Sequence, residues 1–431
     1  MSLYAQYFYN SEIEALFSDS ETVAQMLHFE AALATVQAEN GIFLKDYAEK
    51  ISTFCKVEYF DIEQIKFEVN LGGNAAIPLV KQLTKNVGKS DVEAAKFVHL
   101  GATSQDVVDT GRVLQIKQFI TWAESKLKVL NALLRQLSLE NRNTLMIGRT
   151  LLQQAKPITF GLKTAKWLLT IQQSQEQINE AKKRILVLTL GGAVGSGNEY
   201  IDKNIQQKVA HLLDLNLSLN GFSGAEFASI LGQIAGNLSK IAKDISLLMQ
   251  TEIGEVFEGA ADGKGGSSTM PHKRNPVNCV AILANGVRIP HLIASVFSSM
   301  TQEHERSAGY WHAEWEVLND MMRLTAGSID KSIELLSGLE IDKNRMLANL
   351  EITNGLIYAE NVSLHLAKQI GKEKAHEIVA KACKSAIAEG KHLKVILQDL
   401  QIVHLDNLFN PENSIGNSLQ IIDEILKKDE L

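Results

Sequence analysis

Six prolines are all that 431 residues contain, and they leave two long stretches, 79–156 and 158–270, without any. Proline is the strongest helix breaker, because it lacks an N–H and its ring clashes with the preceding turn. Its absence permits long helices, and the apolar spacing is helical. From Phe227, apolar residues fall at Leu231, Ile234, Leu238, Ile241, Ile245 and Leu248. Steps of four and three make a heptad seam. The seam predicts a helix of about 30 residues, about 45 Å long. That helix suits either a long core helix within one chain or a bundle shared between chains. Segments 112–142 and 158–190 show similar spacing, with Leu114, Ile120, Leu127, Leu130 and Leu134 in the first. Strand signals are scarce, so the fold class is all-α. Composition breaks at the Gly-Ala-Thr-Ser run 101–104 and near 340–350, before a last segment of short helices.

Composition narrows the function classes. Lys and Arg total 43 against 50 Asp and Glu, a net charge of −7. Nucleic-acid binders usually carry a basic excess, so no nucleic-acid partner is expected. No run of eighteen apolar residues occurs, so no membrane span is expected. The first residues, MSLYAQYFYNSEIEALF, lack the basic and apolar regions of a secretory signal. Cys55, Cys279 and Cys383 lie far apart and are odd in number, which fits neither a zinc site nor a disulfide framework. A reducing cytoplasm is the expected location. The stretch GAADGKG at 259–265 is one residue short of a P-loop and lacks the hydroxyl after lysine, so nucleotide binding there is rejected.

Five segments could carry chemistry. The most unusual is GKGGSSTMPHKRNP, residues 263–276, between apolar helices. Glycines expose backbone N–H groups. Ser267, Ser268 and Thr269 add hydroxyls, and Lys273 and Arg274 add positive charge. Asn275-Pro276 leads into a helix expected near Val277, with Pro276 in its first turn. A donor-rich loop ending at a helix N-terminus can hold a carboxylate or an enolate-like oxyanion. Such loops inside helical proteins are usually functional rather than plain connections. The second segment, His99-Leu-Gly-Ala-Thr-Ser-Gln-Asp106, suits an anion site or an ordinary N-cap. The third, 148–157, offers Arg149, Thr150 and Gln153 as donors, or is simply a loop between two helices. The fourth, Gly191–Gly197, reads as a glycine-rich turn. The fifth, 302–316, holds Glu303, His304, Arg306, His312 and Glu316. Its residue types suit a carboxylate-bridged metal site, but the ligand spacing is wrong, so no metal is expected. Arg306 instead suits a substrate carboxylate.

The loop GSSTMPHKRNP resembles the signature of the fumarase/aspartase superfamily, which includes fumarase, aspartase, argininosuccinate lyase and adenylosuccinate lyase. HLGATSQD at 99–106, the 148–157 stretch and the Gly191–Ser196 turn resemble its other shared regions, in the same order. The resemblance implies an all-helical fold in three parts: residues 1–104, a central long-helix bundle over 105–345, and a small helical part over 346–431. It implies a homotetramer whose active sites are shared between subunits, and no cofactor. Further stretches resemble the superfamily's cycloisomerase branch, which acts on a small tricarboxylate. These are NLGGNAAIPLVKQL at 70–83, GRTLLQQAKPITFGLK at 148–163, LLMQTEIGEVFE at 247–258 and QEHERSAGYWHAEWE at 302–316.

By that resemblance Ser267 transfers the proton at carbon, and Lys273 and Asn275 hold the intermediate. His99, Thr103, Ser104, Arg149, Thr150, Gln153, Ser268 and Arg306 bind the substrate. In adenylosuccinate lyase a histidine general acid follows the Arg-Thr pair of the 148–157 region. Here that position is Leu151, which cannot transfer a proton. The cycloisomerase branch usually has tryptophan there, so the leucine departs from both patterns.

Overall fold

The computed structural model describes residues 3–219, 221–259, 265–266, 269–270 and 272–427. The sequence-predicted helices are present. Five are long: Ser104–Glu140, Phe160–Ile185, Gly224–Leu248, Val277–Ser298 and Tyr310–Ser337. The first has 37 residues, about 55 Å of helix. The helix carrying the heptad seam is 25 residues, somewhat shorter than its spacing predicts. Every seam residue from Phe227 to Leu248 is buried within the single chain. The seam is therefore satisfied without a partner.

Local chemistry sets the ends of the shorter helices. Asn10, Ser18, Asp61, Asp91, Asp202 and Asp342 each accept a backbone N–H of the first turn they precede. Gly73, at φ 76°, ends helix Ile62–Gly72 in the left-handed conformation that glycine adopts without strain.

The chain divides into two compact units. The first comprises 1–127, 174–238 and 281–330. Its core joins Leu27, Phe29 and Leu33 of helix Asp19–Glu39 with Leu79, Leu83, Val107, Leu114, Leu190, Ile205 and Val209. The second comprises 128–173, 239–280 and 331–431. Here Val362, Leu366, Val379, Ala382, Leu393 and Leu397 form one cluster. Ile147, Leu350, Ile357 and Tyr358 form another.

One local feature differs from the sequence reading. Residues 148–157 are not a loop but most of an antiparallel hairpin, Leu145–Thr150 paired with Gln153–Thr159. The other strands described are two-residue pairings at 187–188 with 216–217 and 256–257 with 340–341. Pro157 is tolerated because a two-stranded ribbon has an unpaired edge on each strand.

Helix Val277–Ser298 is long and apolar enough to cross a membrane by length and composition alone. Its Asn285 is buried and donates Nδ2 to the carbonyls of Phe8 and Leu324, which ties it into protein packing. Along it Val280, Leu283, Val287, Pro290, Ala294 and Phe297 follow each other in steps of three and four. All six are exposed or half-buried, Val287 being 69% exposed. This second seam is open, unlike that of helix Gly224–Leu248.

Candidate active site

In the first unit the expected residues gather around a carboxylate that is itself not exposed, Asp106. It sits in the first turn of helix Ser104–Glu140. Its Oδ2 accepts the N–H of Thr103 at 3.0 Å, the reciprocal half of a capping box. The same carboxylate accepts the N–H of Gly191 at 3.1 Å and of Gly192 at 2.8 Å. Arg306 Nη2 donates to the Gly192 carbonyl at 2.9 Å and lies 3.7 Å from Asp106 Oδ1. Burial pushes the Asp106 carboxyl up, while the three N–H donors and Arg306 oppose the shift. One side chain thus ties together the 99–106 segment, the 191–197 turn and Arg306. The turn needs its glycines. Gly192 and Gly195 have φ of 70° and 80°, and a Cβ on Gly191 would meet Gly195 Cα at 2.7 Å.

Thr103 and Ser104 stand half-buried at the helix start. His99 is held differently. Its φ is 59°, and its Nδ1 lies 2.6 Å from Oε1 of Glu30. Glu30 is 1% exposed, on helix Asp19–Glu39. Burial alone would lower the His99 pKa. The charge and hydrogen bond of Glu30, with Asp106 beyond, outweigh it and raise the pKa. Sequence reasoning missed Glu30. Its one signal was an acid inside the otherwise apolar run HFEAALATV.

In the second unit, Arg149 forks onto Glu255, with Nη1 to Oε2 at 2.9 Å and Nη2 to Oε1 at 2.6 Å. Glu255 is fully buried and also accepts Asn349 Nδ2 at 2.8 Å. Arg149 thus already serves a carboxylate of the same chain through both its terminal nitrogens. Thr150 and Gln153 face solvent and pair across the end of the hairpin. Between them Leu151 and Leu152 form a two-residue turn with φ of 49° and 66°. Positive φ at both central residues is the type I′ geometry, which favours Asn-Gly. Leucine there costs about 1 kcal/mol per residue. Both leucines are also exposed, at 96% and 80%.

Ser267 and Ser268 of the signature loop lie outside the described residues. The base of that loop is described. Asn275 N–H donates to Gly265 O at 2.9 Å, and its Nδ2 reaches Gly266 O at 3.4 Å. Gly265 has φ 68°, and a Cβ on it would come within 2.8 Å of Asn275 O. Lys273 is exposed and has no side-chain partner among the described residues. Arg274 is committed to the Glu340 carboxylate and the Glu258 carbonyl.

The helix N-terminus after the loop is a correction. It was expected to hold a substrate oxyanion. Instead the buried carboxylate of Glu258 accepts the N–H groups of Asn278 at 3.0 Å and Cys279 at 2.9 Å. An internal anion already occupies the favourable end of that helix.

The acids and histidines of the 302–316 segment do not gather as ligands. Glu303 accepts from Ser307 Oγ and from the Ala308 N–H, and His312 packs between Trp311 and Trp315. Among the described residues no group of three or more potential ligands is placed to hold a metal.

The chain belongs to the lyase family: residues 9–290 match the "Lyase" model and 355–425 match "Adenylosuccinate lyase C-terminus". With them it takes its place in the fumarase/aspartase superfamily. It is 42% identical to the 3-carboxy-cis,cis-muconate cycloisomerase of Acinetobacter baylyi, over 99% of this chain and 98% of that one. The solved 3-carboxy-cis,cis-muconate lactonizing enzyme of Pseudomonas putida superposes with a TM-score of 0.92 at 39% identity, covering 99% of both chains. The N-acetyl-S-(2-succino)cysteine lyase of Dickeya dadantii is 31% identical over 97% of this chain and 95% of its own.

Two outcomes follow from the second unit. Arg149→Ala strands the buried Glu255 carboxylate and should destabilise the protein by about 3–5 kcal/mol, read as a lower urea midpoint. An unchanged midpoint would show that the pair has no structural role. Replacing Leu151-Leu152 with Asn-Gly should raise the thermal midpoint, because the turn strain is relieved. The same change should lower turnover if the leucines contact substrate.

Proposed function

We propose that the chain is a cycloisomerase that closes 3-carboxy-cis,cis-muconate to 4-carboxymuconolactone, a step of the protocatechuate branch of aromatic catabolism. The observation that carries this reading over an amine-releasing lyase is the hairpin tip. Where a general acid would stand, the chain places Leu151, and the one titratable side chain of the tip, Arg149, is paired with Glu255. Expelling an amine without an acid would cost about 10²–10⁴-fold in rate. A carboxylate nucleophile needs no such help. Its conjugate acid has a pKa of about 4, so it is ionised at neutral pH and leaves or adds without proton transfer.

One carboxylate of the substrate adds to a double bond conjugated with a second carboxylate. The electron pair moves onto that second group, giving an aci-carboxylate. Ser267 delivers its hydroxyl proton at carbon, and the alkoxide left behind takes a proton back from water. Lys273 and Asn275 hold the intermediate, and loop N–H groups add donors. His99, Thr103, Ser104, Ser268 and Arg306 bind the carboxylates. Arg149 acts mainly by fixing the hairpin that presents Thr150, Leu151 and Gln153. Leu151 offers the diene an apolar contact.

The substrate is a trianion, so it needs cations that are not already paired. Lys273 is exposed, and Arg306 is only partly engaged, by the Gly192 and Glu305 carbonyls and a carboxylate 3.7 Å away. We also propose a homotetramer in which copies share active sites, with residues 1–104, 105–345 and 346–431 as its three parts. The open seam from Val280 to Phe297 supports this, since an exposed heptad face suits helix–helix association. Nothing in the proposal requires a nucleic acid, a membrane or a cofactor, and the expected location is the cytoplasm.

Purified protein mixed with 3-carboxy-cis,cis-muconate should rapidly abolish the conjugated-diene absorbance and yield the lactone. Ser267→Ala should reduce turnover to background while leaving assembly intact. No diene loss, with fumarate released from a succinyl adduct instead, would move the assignment to the elimination lyases. Val287→Glu places a charge on the open seam and should shift the sedimenting species to a smaller size. An unchanged tetramer would remove this face from the interface.

A further inference from the structure

We propose that Glu30 is a positioning residue of the reaction, and that its buried carboxylate holds His99 as an imidazolium serving as one of the cations that bind the tricarboxylate. This rests on the reading that the 99–106 cluster faces the substrate.

The argument begins with the scarcity of available cations. A trianion must be neutralised, yet Arg149 forks onto Glu255 and Arg274 onto Glu340. A neutral histidine would not supply the missing charge. His99 is built to be charged. Its Nδ1 is 2.6 Å from Glu30, whose carboxylate is 1% exposed and has no other hydrogen-bond or ion-pair partner among the described residues. With Nδ1 donating to Glu30, Nε2 is the remaining donor of the ring. The ring's side chain is 17% exposed, so it is largely desolvated but still reachable.

The backbone around His99 is fixed against relaxation. His99 adopts φ 59°, a conformation uncommon outside glycine, asparagine, aspartate and histidine. The carbonyl of the next residue, Leu100, accepts Gln37 Nε2 at 2.8 Å, and the Gly101 carbonyl accepts Asn198 Nδ2 at 2.8 Å. A Cβ on Gly101 would meet Asn198 Oδ1 at 2.8 Å and Tyr200 Cβ at 2.9 Å. Strained backbone held from several sides is typical of functional positions.

The charged groups facing the pair agree with a protonated ring. From helix Asp19–Glu39 comes Glu30, and from helix Ser104–Glu140 comes Asp106, whose own partner is Arg306. Cys55 lies near Glu30, but burial and that carboxylate push its thiol up, so it stays neutral. Both acids favour the imidazolium, and burial alone opposes it.

The sign of the pH dependence follows. A His99 with a raised pKa is charged below that value and loses its charge as pH rises through it. KM for the tricarboxylate should therefore rise on the alkaline side. Glu30→Gln removes the stabilising charge while keeping the size, so the rise should begin at a lower pH. Near neutral pH, KM should increase about tenfold with kcat changed by less than about threefold. Glu30→Asp should restore part of the loss.

The His99 ring should also be followed by NMR in the wild-type protein without substrate, with His99→Asn for assignment. It should titrate above the ordinary value of about 6.5, and in Glu30→Gln clearly lower. A wild-type His99 titrating at or below 6.5 would overturn the proposal, even if Glu30→Gln fails to fold. A raised titration with no KM effect would overturn the binding role. If the protein does not turn over the diene at all, the NMR result still reports on the pair, so failure of the proposed function and failure of this inference are told apart.

Discussion

The arrangement of the first unit depends on one buried carboxylate accepting three backbone N–H groups. Asp106 joins the start of helix Ser104–Glu140 to the Gly191–Gly192 turn and sits beside Arg306. These segments are about 85 residues apart and farther. A buried acid is costly unless its lone pairs are satisfied. Satisfying them here requires that turn to come to that helix end. The interaction therefore does two things. It stabilises the helix as a cap, and it fixes where Arg306, Thr103 and Ser104 stand.

The same logic recurs through the molecule. Glu255 receives Arg149 and Asn349, and Glu258 receives the first N–H groups of helix Val277–Ser298. In each case an internal acid takes up positive potential that a sequence reader would assign to the ligand. For the proposed triply charged substrate this matters. Fixed internal pairs build the frame, and few cations are left over. Those that remain must be both charged and oriented, which gives a histidine pinned to a buried acid more weight than its ordinary pKa suggests.

The long helices were legible because their information is periodic and redundant. Few prolines and repeated apolar spacing mark the helices 104–140, 160–185 and 224–248, although the spacing starts the first only at 112 and makes the third too long. The signature loop and the 99–106 turn were legible because their residue types are rare together. What could not be read was pairwise and distant. Glu30 meets His99 across 69 residues, and Arg149 meets Glu255 across 106. Nothing local distinguishes a buried paired acid from a solvated one, apart from apolar neighbours. The hairpin escaped for another reason. Its turn lacks the Asn-Gly signal that marks such turns, because Leu151-Leu152 stands in its place. The seam on helix Gly224–Leu248 was correctly read as a seam. Only the structure shows that it is filled within the chain, while the open one lies on Val277–Ser298.

The leucine turn connects strain to chemistry. A sequence selected for hairpin stability alone would place Asn-Gly there, in backbone geometry that leucine adopts at about 1 kcal/mol per residue. Exposing two leucines to water adds a second cost. An apolar surface covering the tip would recover the cost of exposure. A conjugated diene has such a face, flanked by carboxylates that suit Thr150 and Gln153 on either side of the leucines. An acid at the same tip would offer a proton to a carboxylate that has no use for it, and would require desolvating a polar group against the diene. In the proposed reaction the leaving and attacking group is already an anion, so a tip free of proton donors is the arrangement that this chemistry favours.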